Sequence, residues 1–190
     1  MPETLDVVRE LAQRGALLDG HFRLTSGRHS KRFIQKFRIL EDPSIVEPLA
    51  RRLAERVRRY EPTIVVTAAV GGIVLGYEMA RQLGTKAIFV EKEQGVPTFR
   101  RGFMLAPSDR VLIVEDVVTT GGSVREVLEV VQKTGARVIA VGVIVRRDPI
   151  EFDVPTIALL DYPVDSYDPA ECLQCANGEP LTEPGSRFLR

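Results

Sequence analysis

Two carboxylates stand next to a run of small hydroxyl and glycine residues in the stretch VLIVEDVVTTGGSV. Glu115 and Asp116 follow an apolar segment, and residues 119–123 precede a helical pattern. Glycines let backbone amides converge on an anion without obstruction by Cβ atoms, and a helix N-terminus adds positive potential. A phosphate group fits these donors. Because two carboxylates repel a neighbouring phosphate, we expect Glu115 and Asp116 to hold sugar hydroxyls or the surroundings of a magnesium ion.

The elements that position this motif alternate between strands and helices. Continuous apolar, β-branched segments predict strands that are buried on both faces, at 63–67, 86–91, 110–115 and 137–145. Helical patterns over 73–83 and 123–134 lie between them. This order predicts an α/β fold, an open and mostly parallel sheet flanked by helices. Ligands bind outside the carboxyl ends of such strands, where the acid pair is expected.

The remaining segments complete a single predicted domain over residues 1–190. A helix opens at Asp42 and carries an apolar stripe, and the sheet with its helices forms a core over about 43–160. Residues 1–40 contain a first helix and a basic, partly alternating segment that predicts a small hood of strands. The tail over 161–190, rich in Pro, Gly, Asp and Glu, is predicted to be loop, and part of it is expected to join the hood.

Charge and composition exclude several classes of partner. Lys+Arg and Asp+Glu both total 26, so the formal net charge is zero and no overall basic field favours nucleic acid or an anionic membrane. The N-terminus lacks the apolar run of a membrane span or a signal peptide, so we expect a cytoplasmic protein. Neither a Walker phosphate loop nor a G-x-G-x-x-G motif after a strand is present, which argues against nucleoside triphosphate and dinucleotide binding.

The stretch from Val111 to Val124 closely resembles the motif with which type I phosphoribosyltransferases bind 5-phosphoribosyl-1-pyrophosphate (PRPP). The resemblance implies that Glu115 and Asp116 bind the ribose hydroxyls and act in catalysis. It also implies a magnesium ion, held mainly through PRPP and near the acid pair. The PRPP 5-phosphate then falls to the loop formed by Thr119, Thr120, Gly121, Gly122 and Ser123, and Val117 and Val118 before it are also assigned to PRPP binding.

Nearly the whole chain is similar to the orotate branch of that family. FRLTSGRHS over 22–30 resembles an N-terminal signature of the branch, and the ending from Cys172 to Arg187 resembles the tail of a bacterial subgroup. The resemblance implies transfer of phosphoribosyl from PRPP to orotate in pyrimidine biosynthesis, by a homodimer with shared sites. Orotate would contact Thr119, Arg147 and Phe33. A purine-type phosphoribosyltransferase and a non-catalytic PRPP-sensing regulator are the alternatives.

Two lysines typical of the family are missing from this chain. Thr25 stands at one of the positions, and the turn after the first core strand reads Ala-Val-Gly-Gly. We expect Gly71 and Gly72 to bind the PRPP pyrophosphate through backbone amides at a helix start. An ordinary tight turn between strand and helix is the alternative.

The segment 91–102 corresponds to the flexible catalytic loop of the family. Lys92 matches a family lysine and is assigned to PRPP binding, while Arg100 and Arg101 are the cations available for catalysis. Mobile cations can exclude water and neutralise a departing pyrophosphate. The alternative is a solvated β-hairpin.

The histidines and cysteines are not expected to act in this chemistry. His21 and His29 are interpreted as solvated or capping residues. Cys172 and Cys175 have the spacing of half a zinc site, but no two further ligands follow in register, so a structural loop is predicted.

Overall fold

The computed structural model describes residues 2–184, and the side chains of residues 7–184. Two compact units are present. The first, which we call the hairpin unit, combines the described residues up to Ile39 with those from Pro163 onward. The second, which we call the sheet unit, comprises Leu40–Tyr162. That both units form one domain stays a prediction.

The hairpin unit begins with α1 (Pro2–Gln13), β1 (Leu17–Arg23) and β2 (His29–Ile34). β1 and β2 pair antiparallel, which confirms the predicted strands of this segment, and their pairing shifts in register between Asp19 and Phe22. The turn between them includes Gly27, whose φ of +83° lies in the left-handed region that favours glycine.

The sheet unit contains the predicted parallel strands and two that the sequence patterns did not predict. A short helix, α2 (Phe37–Leu40), leads from the hairpin unit into the sheet unit. The sheet unit then contains, in chain order, α3 (Pro43–Val57), β3 (Ile64–Ala68), α4 (Gly72–Leu83), β4 (Lys86–Glu93), β5 (Val96–Phe99), β6 (Arg110–Val118), α5 (Gly122–Gln132), β7 (Arg137–Arg146) and β8 (Thr156–Asp161). The strand order is β5-β4-β3-β6-β7-β8, with β5 antiparallel and the other neighbours parallel.

The helices cover opposite faces of this sheet. A Cβ atom at Gly76 of α4 would meet the side chains of Thr67 and Val65 on β3, while Val66 belongs to the apolar cluster that α5 joins. Successive side chains of a strand point to opposite faces, so α4 and α5 lie on different sides. The two-sided burial explains why the strands read as continuous apolar runs.

One prediction about the tail is wrong, and one short strand was not among the predicted strands. The tail is not simply loop, because β8 reaches Asp161, a 3-10 helix spans Pro169–Glu171, and α6 spans Leu173–Ala176. β5 was missed because it is a four-residue edge strand that contains Pro97, and proline weakens the strand pattern. Across the described residues, no helix is long and apolar enough to cross a membrane.

Candidate functional site

The carboxyl ends of the parallel strands of the sheet unit meet at one edge. β3 and β6 pair with Thr67 level with Val114, so the turn after β3 and the acid pair of β6 lie side by side. Arg146 pairs with Val118 where β6 and β7 end. This edge is where an open α/β sheet binds its ligands.

The acid pair lies inside β6, whereas the sequence pattern ended the strand at Glu115. The ladder with β7 continues through Val117 and Val118, beyond both acids. Glu115 is 7% exposed and Asp116 is fully buried. The backbone amide of Val117 donates to Asp116 Oδ1 at 2.6 Å, and the amide of Asp116 lies 3.2 Å from Glu115 Oε1. The backbone therefore holds both carboxylates in a fixed orientation.

The predicted phosphate loop connects β6 to α5 through a left-handed glycine. Gly121 has a φ of +74°, and a Cβ atom there would lie 3.0 Å from both Arg125 Nη1 and Phe152 Cζ. Arg125 Nη1 also donates to the carbonyl oxygen of Thr120 at 2.6 Å. A side chain at position 121 would thus displace the groups that support the loop.

The first turn of α5 supplies backbone donors beside this loop. The amide of Arg125 makes the first bond of the helix, to Gly121 O at 3.0 Å, so the amides of Gly122, Ser123 and Val124 precede the helical ladder. Gly122 and Ser123 are exposed. Amides at a helix N-terminus, together with the helix dipole, form a favourable environment for an anion.

Lys92 lies close to this helix start. Its Nζ forms a 2.7 Å ion pair with Glu126 Oε1 on α5, one turn after the phosphate loop. Lys92, which the sequence analysis assigns to PRPP binding, is therefore paired with α5, the helix that the phosphate loop precedes.

Gly71 and Gly72 form the turn that begins α4. A Cβ atom at Gly72 would overlap Thr67 Oγ1, so the helix start packs directly on β3. The peptide bond between Ala69 and Val70 is cis. This close packing by itself requires a glycine at position 72, as the tight-turn alternative expects. A role of Gly72 in binding pyrophosphate stays a prediction.

Arg147 follows β7 directly and is held beside the phosphate loop. Its amide donates to Val118 O at 2.8 Å, and its Nη2 donates to Asp148 Oδ2 at 2.6 Å. Its neighbour Arg146 instead pairs with Asp161, and the hydrogen bond that it donates to that carboxylate raises the pKa of Arg146. The two adjacent arginines therefore have different surroundings.

The segment predicted as a catalytic loop folds as a β-hairpin, the alternative interpretation. β4 and β5 pair directly, and Gln94 and Gly95 form the turn with φ values of +50° and +84°. Arg100 Nη2 lies 3.3 Å from Glu93 Oε1, and Arg101 Nε lies 3.1 Å from Glu91 Oε1. Both arginines thus pair with carboxylates of their own hairpin.

Phe33 belongs to the hairpin unit, unlike the other residues assigned to orotate. It lies on β2, and its ring packs against Phe22 with 5.7 Å between ring centroids. Within the sheet unit the structure brings together Thr119, Arg147, the acid pair and the phosphate loop.

The interpretation of the histidines as solvated residues is wrong. His21 and His29 are each 5% exposed, and their rings lie beside Cys172 and Cys175 in the hairpin unit. The histidines lie on β1 and β2, and His21 precedes Cys172 by 151 positions in the chain. Gly185, Ser186 and Arg187 of the predicted tail signature lie outside the described residues.

Arg125 and Glu126 were missed as members of the candidate site. Their signal was weak, because charged residues at the start of an amphipathic helix are usually solvated. Only their contacts with Thr120 and Lys92 reveal that they support the loop.

The sheet, the acid pair and the glycine turn into α5 match the arrangement expected of a phosphoribosyltransferase. A family model described as the phosphoribosyl transferase domain matches residues 38–151, and the chain belongs to that family.

Similarity to individual proteins shows to which branch of the family the chain belongs. The chain is 48% identical over 186 residues to an orotate phosphoribosyltransferase of Pelotomaculum thermopropionicum, covering 97% of this chain and 98% of that one. Within the family it falls with the orotate phosphoribosyltransferases. Among solved structures it is similar to the orotate phosphoribosyltransferase of Aeropyrum pernix, with 28% identity, a TM-score of 0.67 and coverage of 81% and 92%. An adenine phosphoribosyltransferase of Rhodothermus marinus shares the fold, with 21% identity, a TM-score of 0.64 and coverage of 82% and 98%.

Proposed function

We propose that this protein transfers the 5-phosphoribosyl group from PRPP to orotate. The bond between C1′ of the ribose and the pyrophosphate oxygen breaks, and the pyrophosphate leaves with the electron pair. A ring nitrogen of orotate bonds to C1′ from the opposite face and loses its proton. The products are orotidine 5′-monophosphate and pyrophosphate, as expected for an enzyme of pyrimidine biosynthesis.

One observation carries this proposal: a buried acid pair directly precedes a glycine turn into a helix N-terminus at the carboxyl edge of the sheet. The loop amides and the start of α5 suit the 5-phosphate, because they combine converging donors with positive potential. Glu115 and Asp116 suit the ribose hydroxyls as acceptors, and positive charge that develops on the ribose is tolerated beside them.

The leaving pyrophosphate needs cations and backbone donors. Gly71 and Gly72 offer the N-terminus of α4, and Lys92 offers a positive charge next to α5. In this proposal Arg100 and Arg101 exchange their hairpin carboxylates for pyrophosphate when substrate binds. Such an exchange would place positive charge next to the negative charge that develops on the leaving pyrophosphate.

A magnesium ion fits the residues at this edge. Mg²⁺ prefers oxygen ligands and is often held by one or two carboxylates together with substrate phosphates, and Glu115 and Asp116 are carboxylates of that kind. When bound, the ion neutralises negative charge on the pyrophosphate. The acid pair would hold it near the ribose hydroxyls, with most of its contacts made by PRPP.

Orotate recognition is assigned to Arg147, Thr119 and Phe33. Orotate carries a carboxylate and ring carbonyl oxygens, and a planar guanidinium donates to such groups through paired hydrogen bonds. The backbone bond from the Arg147 amide to Val118 keeps this residue next to the start of the phosphate loop. Exchange of the Asp148 contact for the orotate carboxylate would complete the interaction.

We also propose that the protein is a homodimer with shared sites. An apolar stripe supports this, because Val70, Val74 and Tyr77 on one side of α4 and its preceding turn are 79%, 47% and 69% exposed. A second copy that covers the stripe would bury apolar surface without an additional partner.

The test is consumption of orotate by the purified protein with PRPP and Mg²⁺, followed by ultraviolet absorbance. Adenine, guanine, hypoxanthine, xanthine and uracil are run in parallel. Loss of orotate that requires both PRPP and Mg²⁺ is expected. Turnover of a purine alone would identify a sister enzyme with the same fold, and PRPP binding without turnover of any base would indicate a regulator.

A further inference from the structure

Four potential metal ligands converge in the hairpin unit, whereas the residues assigned to PRPP all belong to the sheet unit. They are His21 on β1, His29 on β2, Cys172 after the 3-10 helix, and Cys175 on α6. Their ligand atoms all lie within 4.8 Å of one another, and all but Cys175 are buried. We propose that these side chains bind one structural zinc ion, a role independent of the proposed enzymatic function.

The distances between the ligand atoms match a tetrahedral zinc centre. Zinc bonds to nitrogen and sulfur place two nitrogens about 3.3 Å apart, and a nitrogen and a sulfur about 3.6 Å apart. His21 Nε2 and His29 Nδ1 are 3.2 Å apart. His21 Nε2 lies 3.4 Å from Cys172 Sγ and 3.6 Å from Cys175 Sγ, and His29 Nδ1 lies 3.2 Å from Cys175 Sγ.

The outer nitrogen of His21 orients its ring for metal binding. His21 Nδ1 lies 3.0 Å from the carbonyl oxygen of Glu179. A carbonyl can only accept, so Nδ1 carries the proton in the neutral ring and the lone pair on Nε2 points into the cluster. A histidine ligand whose second nitrogen donates to a backbone carbonyl is the usual arrangement around protein-bound zinc.

Charge balance also favours zinc in this place. Two thiols lose their protons when they bind Zn²⁺, and two neutral imidazoles complete the set, so the loaded site has no net charge. A neutral site avoids the cost of placing an isolated charge among buried residues.

The ligand set and spacing point to a single ion. Tetrahedral sites with two sulfurs and two nitrogens are typical of zinc, and nitrogen–sulfur separations of 3.2 to 3.6 Å leave no room for the several metal atoms of an iron–sulfur cluster. A disulfide between Cys172 and Cys175 would leave the histidine pair without a role, and both cysteines are free in the structure.

The ion would join the tail to the hairpin. Backbone bridges already bring Tyr167 to His29 and Thr182 to Phe22, on either side of the cysteines in the chain. Because His21 and Cys172 are 151 positions apart, a metal that links them closes a long loop and restricts the unfolded chain. Small units with a limited apolar core commonly depend on such a metal for stability.

The experiment measures metal content of the full-length protein, purified without chelator from zinc-supplemented cells under reducing conditions. We expect about one zinc per chain. Replacement by Co²⁺ should give the intense visible absorption of a tetrahedral site with thiolate ligands. The thiols should react slowly with a thiol reagent in the loaded protein and quickly after chelation, when the melting temperature should also fall by several degrees.

Variants locate the ion. Cys175→Ser and His29→Ala should each lose most of the zinc, whereas Leu173→Ala, a matched control at a 71% exposed position between the cysteines, should keep it. Cobalt binding to wild-type protein keeps the test decisive if a ligand variant fails to fold. The proposal is overturned if reduced wild-type protein takes up neither zinc nor cobalt, or if the bound metal persists in both ligand variants.

Discussion

The backbone amide of Arg147 donates a hydrogen bond to the carbonyl oxygen of Val118 at 2.8 Å, just before the phosphate loop begins at Thr119. This bond continues the pairing of β6 and β7 by one residue beyond Arg146. The residue assigned to orotate and the loop assigned to PRPP are thus joined through the backbone, at the point where the two substrates must meet.

Replacing Arg147 by alanine should weaken orotate binding selectively. We expect the KM for orotate to rise about tenfold or more, because a charged hydrogen-bond donor to a carboxylate is lost, while the KM for PRPP changes little. Steady-state kinetics with each substrate varied in turn measures this. Arg146→Ala is the matched control, since Arg146 pairs with Asp161. Equal rises in both KM values would remove Arg147 from the base site.

Asp116→Asn should lower kcat about 100-fold or more, because a preorganised charge beside the developing positive ribose is lost. The size of the side chain hardly changes, so the protein should remain folded, which circular dichroism can verify. Asp109→Asn is the control: Asp109 accepts from the amide of Ala106 at 2.7 Å and precedes the opposite end of β6. Wild-type turnover by Asp116→Asn would contradict the proposed role.

Gly121→Ala should disrupt the phosphate loop. The left-handed backbone costs a non-glycine residue about 1–2 kcal/mol, and the new Cβ would crowd Arg125 and Phe152. Gly84→Ala separates the two effects, because Gly84 has a φ of +72° but open space around its Cβ position. Both variants should lose stability in urea unfolding. Only Gly121→Ala should lose kcat/KM for PRPP by about tenfold or more, and equal activity of the two would argue against a cradle at Gly121.

Mixing two inactive variants tests the shared site of the proposed homodimer. The double variant Arg100→Ala/Arg101→Ala and Asp116→Asn are each expected to be nearly inactive. If the hairpin of one subunit serves the other, random exchange of subunits should restore about a quarter of the wild-type activity. Arg59→Ala, which changes a cation outside the hairpin, should leave turnover unchanged. No recovery after verified subunit exchange would show that the hairpin acts within its own subunit.

Glu78 should make a small, pH-dependent contribution to stability. Hydrogen bonds from Arg81 lower the pKa of the Glu78 carboxyl below its ordinary value of 4.5, while partial burial opposes the shift. A lowered folded pKa means that the stabilisation is present above pH 4.5 and is lost as the pH falls through the folded pKa.

Glu78→Gln should therefore lower the free energy of unfolding by less than about 1 kcal/mol near neutral pH. The difference from wild type should shrink in acid, below the ordinary pKa. Urea unfolding at both pH values measures it, with Glu55→Gln on the exposed side of α3 as control. A difference that grows in acid would contradict the assignment.

Four strands and three helices of the sheet unit were predictable because their signals are local. β3, β4, β6 and β7 are apolar runs covered on both faces, and the residues that form the turn into α5 are consecutive in the sequence. For the same reason, the acid pair and the glycine turn could be singled out from the sequence, while their roles toward PRPP stay predictions.

Edge elements and partners distant in sequence were not predictable in this way. β5 contains a proline and is only four residues long, so its sequence has no clear strand pattern. It is recognised as a strand only by its pairing with β4. The pairing of Arg100 and Arg101 with hairpin carboxylates likewise depends on the register of β4 and β5.

The sequence by itself determined the fold class, the PRPP motif and the orotate-type resemblance, since each is encoded in contiguous residues. Only the tertiary structure decided that Asp116 is buried within β6, that Arg125 braces the loop, and that His21 and His29 meet Cys172 and Cys175. The physical reason is distance along the chain. Burial and ligand convergence arise from segments that are far apart in sequence and adjacent only after the chain has folded.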